Sequence, residues 1–244
     1  APDCAVVVAT VRALKMHGGV GRIVAGKPLD PALLEENPEA VRAGGENLAA
    51  HIEMVRRYGV PVVVAINAFP GDAESEFEAI REVALAAGAR DAVVTTHWAD
   101  GGAGSEALAA AVWDACEEDT DFQLLYPDEL SLPEKIETIA VKVYGAGGVD
   151  FAPAASKALA LYDQLGYSHL PVCMAKTHLS ISHDPQLLGR PTGFRVPIRD
   201  VKLAAGAGFI YPLAGDMRTM PGLPSKPAGN NVDIDENGKA IGLF

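Results

Sequence analysis

Hydrophobic positions in the first half of this chain follow two alternating periods. Short, nearly continuous apolar runs at Cys4–Ala9, Val60–Ile66 and Ala92–Thr96 predict strands buried on both faces. Between them the period lengthens. Pro38–Tyr58 sets Val41, Gly45, Leu48, Ile52 and Val55 on one helical face, stopped by Gly59 and Pro61. Asp72–Ala87 repeats this through Phe77, Ile80, Ala84 and Ala87, and Gly104–Glu118 through Leu108, Val112 and Ala115. Strands alternating with helices predict right-handed crossovers and an α/β fold, a parallel sheet flanked by helices.

Past about residue 120 the pattern changes, which divides the chain into domains at 1–120 and 121–244. Tyr126-Pro-Asp128 and Ser131-Leu-Pro133 are turn chemistry. Pro133–Tyr144 and Pro153–Leu165 read as helices, Leu170–Ala175 and Gly208–Leu213 as strands, and Phe194–Leu203 as containing another. The tract from Lys176 to Thr192 has little periodicity, and a loop of that length is uncommon unless functional. A hairpin around Asn237-Gly238 closes this smaller α/β domain.

Composition narrows the function classes. Of 244 residues, 49% are hydrophobic and 21% charged, as in ordinary globular proteins. The net charge of −12 argues against nucleic acid or an anionic membrane as partner, since either needs a basic face. The three cysteines have no CxxC spacing and read as free thiols, which with no apolar run long enough to span a bilayer points to the cytoplasm. The six histidines form no metal-binding spacing, so no metal ligand is assigned. A buried strand opening two or three residues into the chain has no leading edge, so the start reads as cut from a larger sheet.

Parallel strands bind ligands at their carboxyl ends. Asn67-Ala-Phe-Pro-Gly-Asp follows one predicted strand and Thr96-His-Trp-Ala-Asp-Gly-Gly another. Phe69 and Trp98 therefore arrive at one edge, where they either cap the core or stack on a flat ligand, which adds about 0.5–1.5 kcal/mol per ring pair. Arg12, Lys15 and His17, followed by Gly18-Gly19, leave the first strand. They read either as a site edge complementing phosphate or carboxylate, or as a helix end with a glycine stop. Asn67 reads as a turn former or a ligand contact, and His97 with Asp100 as weak positioning groups. Ala205-Gly-Ala-Gly208 lacks the third glycine and following helix of a phosphate cradle, and reads as tight packing.

These motifs occur in a longer succession. Val6-Val-Val-Ala-Thr-Val-Arg-Ala-Leu-Lys-Met-His-Gly-Gly opens it, and Leu170-Pro-Val-Cys-Met-Ala-Lys-Thr, Leu188-Gly-Arg-Pro-Thr-Gly-Phe, Ala205-Gly-Ala-Gly-Phe-Ile and Thr219-Met-Pro-Gly-Leu-Pro follow. In this order, across essentially the whole chain, the sequence resembles formate–tetrahydrofolate ligase. The resemblance implies ATP-dependent formylation of tetrahydrofolate by way of formyl phosphate, with Phe69 and Trp98 holding the pterin and Pro70 and Val94 as weaker apolar walls. It implies part of a P-loop NTPase-like architecture, ATP with magnesium as co-substrate, and a homo-oligomer. No catalytic step is assigned to a residue.

The family's phosphate loop, Gly-x-x-x-x-Gly-Lys-Thr, is not matched. The nearest string, Gly21-Arg-Ile-Val-Ala-Gly-Lys27-Pro28, has proline where a hydroxyl should meet magnesium, and reads as a surface loop. The chain is thus expected to supply the folate-binding portion, with the phosphate site in an N-terminal segment of the same enzyme or a separate chain. The alternative is a non-catalytic folate-binding or scaffold fragment.

Overall fold

The computed structural model describes residues 1–24, 28–217, 225–236, 238 and 240–242. Lys27 of the glycine-spaced string, Thr219-Met-Pro-Gly-Leu-Pro and Asn237 lie outside them. In chain order the first half runs β1 (Ala5–Ala9), α1 (Val11–His17), α2 (Pro38–Arg56), β2 (Val62–Asn67), α3 (Glu74–Ala86), β3 (Asp91–Thr95), the single turn α4 (His97–Asp100) and α5 (Glu106–Cys116). The strands form a parallel sheet in the order β1-β2-β3, with Ala9 opposite Ile66 and Ile66 opposite Val94.

Central β2 shows why its apolar run is continuous. Val62, Val64 and Ile66 join the core made with Val11 and Leu14 of α1, Leu48 and Ile52 of α2, and Phe77 and Ile80 of α3. Val63 and Ala65 are also buried, and α5 packs against β2 and β3. β1 pairs with β2 alone among the described residues, and its Val6 and Val8 stay 43% and 63% exposed.

α1 is capped at both ends. Thr10 Oγ1 accepts the Ala13 N–H at 3.2 Å, capping α1, and Gly18 ends it. The glycine also answers a packing need. A Cβ on Gly18 would stand 2.1 Å from the Ala40 carbonyl oxygen, and one on Gly44 1.9 Å from that of Leu14. α1 thus lies backbone to backbone on α2.

Lys15 fixes this arrangement. Its ammonium is buried, 2.5 Å from Glu76 Oε1, and donates to the Leu33 and Glu35 carbonyls at 3.2 and 2.7 Å. Glu76 in turn accepts the Asn37 and Ala73 N–H groups at 2.8 and 3.0 Å, the second at the start of α3. Burial alone would raise the Glu76 pKa, but these bonds outweigh it and hold the carboxyl below its ordinary range.

The second half runs α6 (Leu132–Thr138), extended by a wider π-type turn at Ile139–Val143, then β4 (Gly148–Phe151), α7 (Pro153–Gln164), β5 (Arg195–Ala204) and β6 (Phe209–Ala214). β4 and β5 are parallel, β5 and β6 antiparallel, over a separate core from Leu132 to Ala214. The strand expected at Leu170–Ala175 is reduced to two bridges, Val172–Ile210 and Ala175–Leu213. Cys173 and Ala175 donate to the Ile210 and Pro212 carbonyls, but Pro212 has no N–H to return, so the ladder breaks there. Strand β4, short and glycine-led, escapes the periodicity. A final hairpin pairs β7 (Asp233–Ile234) with β8 (Ala240–Ile241). Among the described residues no helix is long and apolar enough to cross a membrane.

Replacing one partner of the buried pair leaves the other charge uncompensated. Lys15→Met or Glu76→Leu alone should each cost about 3–5 kcal/mol, and both together clearly less than the sum. Urea denaturation of the three variants checks this; small, additive losses would mean that water reaches the pair.

Candidate functional site

β1, β2 and β3 end in register, at Ala9, Asn67 and Thr95, so the segments leaving them share one edge. After β2 the chain turns through Phe69-Pro-Gly-Asp. The Asp72 N–H donates to the Phe69 carbonyl at 3.1 Å, and Asp72 Oδ2 accepts the Phe69 N–H at 2.9 Å. Gly71, at φ 94°, takes the left-handed position such a Pro-Gly turn requires. Burial raises the Asp72 pKa, and the Phe69 N–H and the Arg12 charge offset part of the rise. The half-buried Phe69 ring is thus presented on a closed turn ahead of α3, in whose first turn Glu76 lies.

Trp98 is held differently. α4 carries it, with Thr96 Oγ1 donating to Asp100 Oδ2 at 2.6 Å and the Ala99 and Asp100 N–H groups donating to the Thr96 carbonyl, both at 2.9 Å. Thr95 Oγ1 lies 3.1 Å from His97 Nδ1 and also donates to the Gly104 carbonyl at 3.1 Å. The Trp98 ring is 69% exposed, so it does not cap the core of this chain.

The other expected site residues separate into two groups. Arg12 stays at the edge: its guanidinium carbon stands 4.5 Å from the Phe69 ring centroid, a cation–π contact worth about 0.5–2 kcal/mol. Asn67 ends β2 beside it. Arg12 Nε and Asn67 Oδ1 are both buried with no hydrogen-bond partner among the described residues, at a cost of about 1–3 kcal/mol each. Pro70 is exposed at the tip of the turn and His97 is exposed on α4. Val94, inside β3, packs against the core instead of lying beyond the strand end. The ammonium of Lys15 is directed to Glu76 and away from the edge. Asp72 was missed, although Phe-Pro-Gly-Asp after a strand signals a closed turn.

His17 also faces another partner. Its Nδ1 accepts the Gly189 N–H at 3.0 Å, Asn47 Nδ2 donates to the Gly189 carbonyl at 2.9 Å, and Arg190 forms a two-pronged pair with Glu53. The aperiodic tract before Thr192 is therefore fastened to α1 and α2. An Nδ1 that accepts a backbone N–H carries no proton. Burial lowers the His17 pKa, helped by His51, and burial with the charge of Lys176 lowers that of His51. Lys176, which donates to the Thr177 and Ser180 carbonyls, is itself lowered to about 8 by burial. Beside β1, Val7, Val8, Thr10, His17 and His51 line part of an open cavity of about 530 Å³.

A three-stranded parallel sheet flanked by helices, with aromatic rings on closed turns at its carboxyl edge, places this half of the chain in the open-sheet α/β class. The family model described as formate–tetrahydrofolate ligase matches residues 1–244. The chain is 57% identical over 243 residues to formate–tetrahydrofolate ligase of Desulforamulus reducens and 60% identical over 243 to that of Roseiflexus castenholzii, covering all of this chain and 43% of each relative. It is 53% identical over 243 residues to the cytoplasmic C-1-tetrahydrofolate synthase of Schizosaccharomyces pombe, covering 99% of this chain and 26% of that protein. The chain belongs to the formate–tetrahydrofolate ligase family, and it spans less than half the length of these relatives.

The histidine fastening has a pH signature. Both imidazoles are lowered in the folded chain, so the unfolded chain binds more protons once pH falls to about 6.5. The stability they contribute is whole above that pH and lost progressively below it. Melting temperature should fall between about pH 7 and about pH 5, less steeply in a His17→Gln/His51→Gln double variant. Thermal melts at constant ionic strength check this; an unchanged slope would place the acid sensitivity elsewhere.

Proposed function

We propose that this chain forms the folate-binding portion of a formate–tetrahydrofolate ligase. The observation that carries the reading is the pair Phe69 and Trp98, each on a hydrogen-bonded turn beyond adjacent parallel strands, with Trp98 mostly exposed. A pterin inserted between them gains stacking on both faces. Because the turns are already closed, little further ordering is required on binding.

In the proposed reaction, formate attacks the γ-phosphate of ATP, ADP leaves, and N10 of tetrahydrofolate captures the formyl group of the mixed anhydride with release of phosphate. The residues of this chain hold and orient the acceptor and keep its face from water. The phosphate and magnesium ligands belong to the part of the relatives that this chain does not span. Joined to that part, β1-β2-β3 would continue into a P-loop NTPase-like sheet, with the edge of β1 that pairs with no strand among the described residues as the join. We place the assembled enzyme in the cytoplasm as a homo-oligomer. A folate-binding scaffold without activity is the alternative.

Turnover separates the two only in the assembled protein. The 244-residue chain alone should make no 10-formyltetrahydrofolate from formate, ATP and tetrahydrofolate, and adding the complementary segment should restore it. Product formation by the chain alone would put the phosphate site within these residues, and none after complementation would favour the scaffold.

The clamp is tested residue by residue in the full-length polypeptide. Trp98→Ala should weaken tetrahydrofolate binding by about 1–3 kcal/mol while largely sparing ATP. Phe69→Ala should do the same, and the double variant should fall short of the sum because both rings grip one ligand. Equilibrium binding beside a thermal melt checks this. Unaltered folate affinity in both single variants would remove the rings from the site.

A further inference from the structure

Cys4 and Cys116 stand far apart in the sequence and meet in the fold. Cys4 directly precedes β1, whose Ala5 N–H donates to the Pro61 carbonyl at 3.0 Å. α5 follows β3 and packs on β2 and β3. A helix that crosses back after a parallel strand ends where the strands begin, and Cys116 is its last residue. The chain beyond it stays at that amino edge. The Asp121 and Gln123 N–H groups donate to the Gly59 and Tyr58 carbonyls at 3.2 and 3.0 Å, and a Cβ on Gly59 would stand 1.8 Å from the Asp121 carbonyl oxygen. Here the Cys4 and Cys116 thiols come within hydrogen-bonding reach of each other.

The two thiols differ in access. Cys116 is exposed and Cys4 partly buried, and neither is in a disulfide. Burial raises the Cys4 pKa, and the neighbouring Cys116 raises it further. A low-mass oxidant therefore reaches Cys116 first, with Cys4 held against it as the second thiol. The strand that Cys4 opens is secured on one side only, since β1 pairs with β2 alone among the described residues. Phe69 and Trp98 lie at the opposite, carboxyl edge, so the pair is independent of the folate reading.

We propose that Cys4 and Cys116 form a reversible disulfide clasp between β1 and α5, closed by exchange with a low-mass disulfide of the glutathione type. The Cys116 thiolate attacks one sulfur of that disulfide and expels the other as a thiolate, leaving a mixed disulfide on Cys116. Cys4 then loses its proton and attacks the Cys116 sulfur, which releases the second small thiolate. Two protein thiols are oxidised, one small disulfide is reduced, and the two cysteine protons end on the two small thiols. In a reducing compartment the pair rests open and closes when the thiol–disulfide poise shifts.

The test uses the complete natural polypeptide in a Cys173→Ser background, equilibrated in buffers of reduced and oxidised glutathione, acid-quenched, alkylated and mapped by peptide mass spectrometry. Raising oxidised glutathione should produce a peptide joining Cys4 to Cys116, and excess reductant should return both as alkylated thiols. In Cys4→Ser the exchange stops halfway, so glutathione on Cys116 should rise at least about tenfold over the unsubstituted pair. Cys116→Ser should give no linked peptide and leave Cys4 a thiol. The oxidised pair should melt higher than the reduced one, and the difference should vanish in both serine variants. Glutathione retained on Cys116 without the linked peptide, or both cysteines left unreacted, would overturn the proposal. A lower melting temperature on closure would also overturn it, by showing that the bond distorts the fold.

Discussion

The buried pair of Lys15 and Glu76 is the constraint on which the geometry of the sheet edge depends. One ammonium meets a carboxylate and two backbone carbonyls, and the carboxylate meets two backbone N–H groups, so each charge is desolvated but none of its main directions is empty. Five bonds from two side chains tie together the helix leaving β1, the loop at 33–37 and the first turn of α3. Arg12 is one turn before Lys15, and Asp72, which closes the Phe69 turn, is one turn before Glu76. Holding Lys15 on Glu76 thus holds Arg12 over Phe69.

Lysines are used the same way elsewhere. Lys135 is fully buried and donates to the Ser168 and Leu170 carbonyls, and Lys176 to those of Thr177 and Ser180. In each case a long side chain satisfies carbonyls of irregular backbone that no ladder reaches. This explains how the aperiodic tract before Thr192 stays ordered. Its far end is fastened by Gly189 to His17 and Asn47 and by Arg190 to Glu53, which joins it to the first core.

The three parallel strands and the helices α2, α3 and α7 were legible because each turns a continuous or periodic apolar set toward a core, and α5 because Leu108, Val112 and Ala115 recur at helical spacing although Ala115 alone of them is fully buried. The edge carrying Phe69 and Trp98 was legible because turn residues directly follow two of those strands. The destinations of charges were not. Nothing local in Arg-Ala-Leu-Lys-Met-His separates Arg12, which stacks at the edge, from Lys15, whose partner is Glu76 on α3, or from His17, whose partner is Gly189 in the other half of the chain. The sheet position of Leu170–Ala175 failed for a related reason. Its own pattern suits a strand, but pairing depends on the N–H that Pro212 lacks.

The candidate site also departs from what stability alone would select. A mostly exposed Trp98, and an Arg12 Nε and an Asn67 Oδ1 with no hydrogen-bond partner among the described residues, all raise the free energy of the folded chain. A core free of other demands would remove them with apolar or smaller side chains. They persist around turns closed by Asp72 and Thr96, on the elements that the Lys15–Glu76 pair ties together. Hydrogen bonds hold these turns closed, and turns ordered in advance lower the cost of binding. They cluster at the carboxyl ends of β1, β2 and β3.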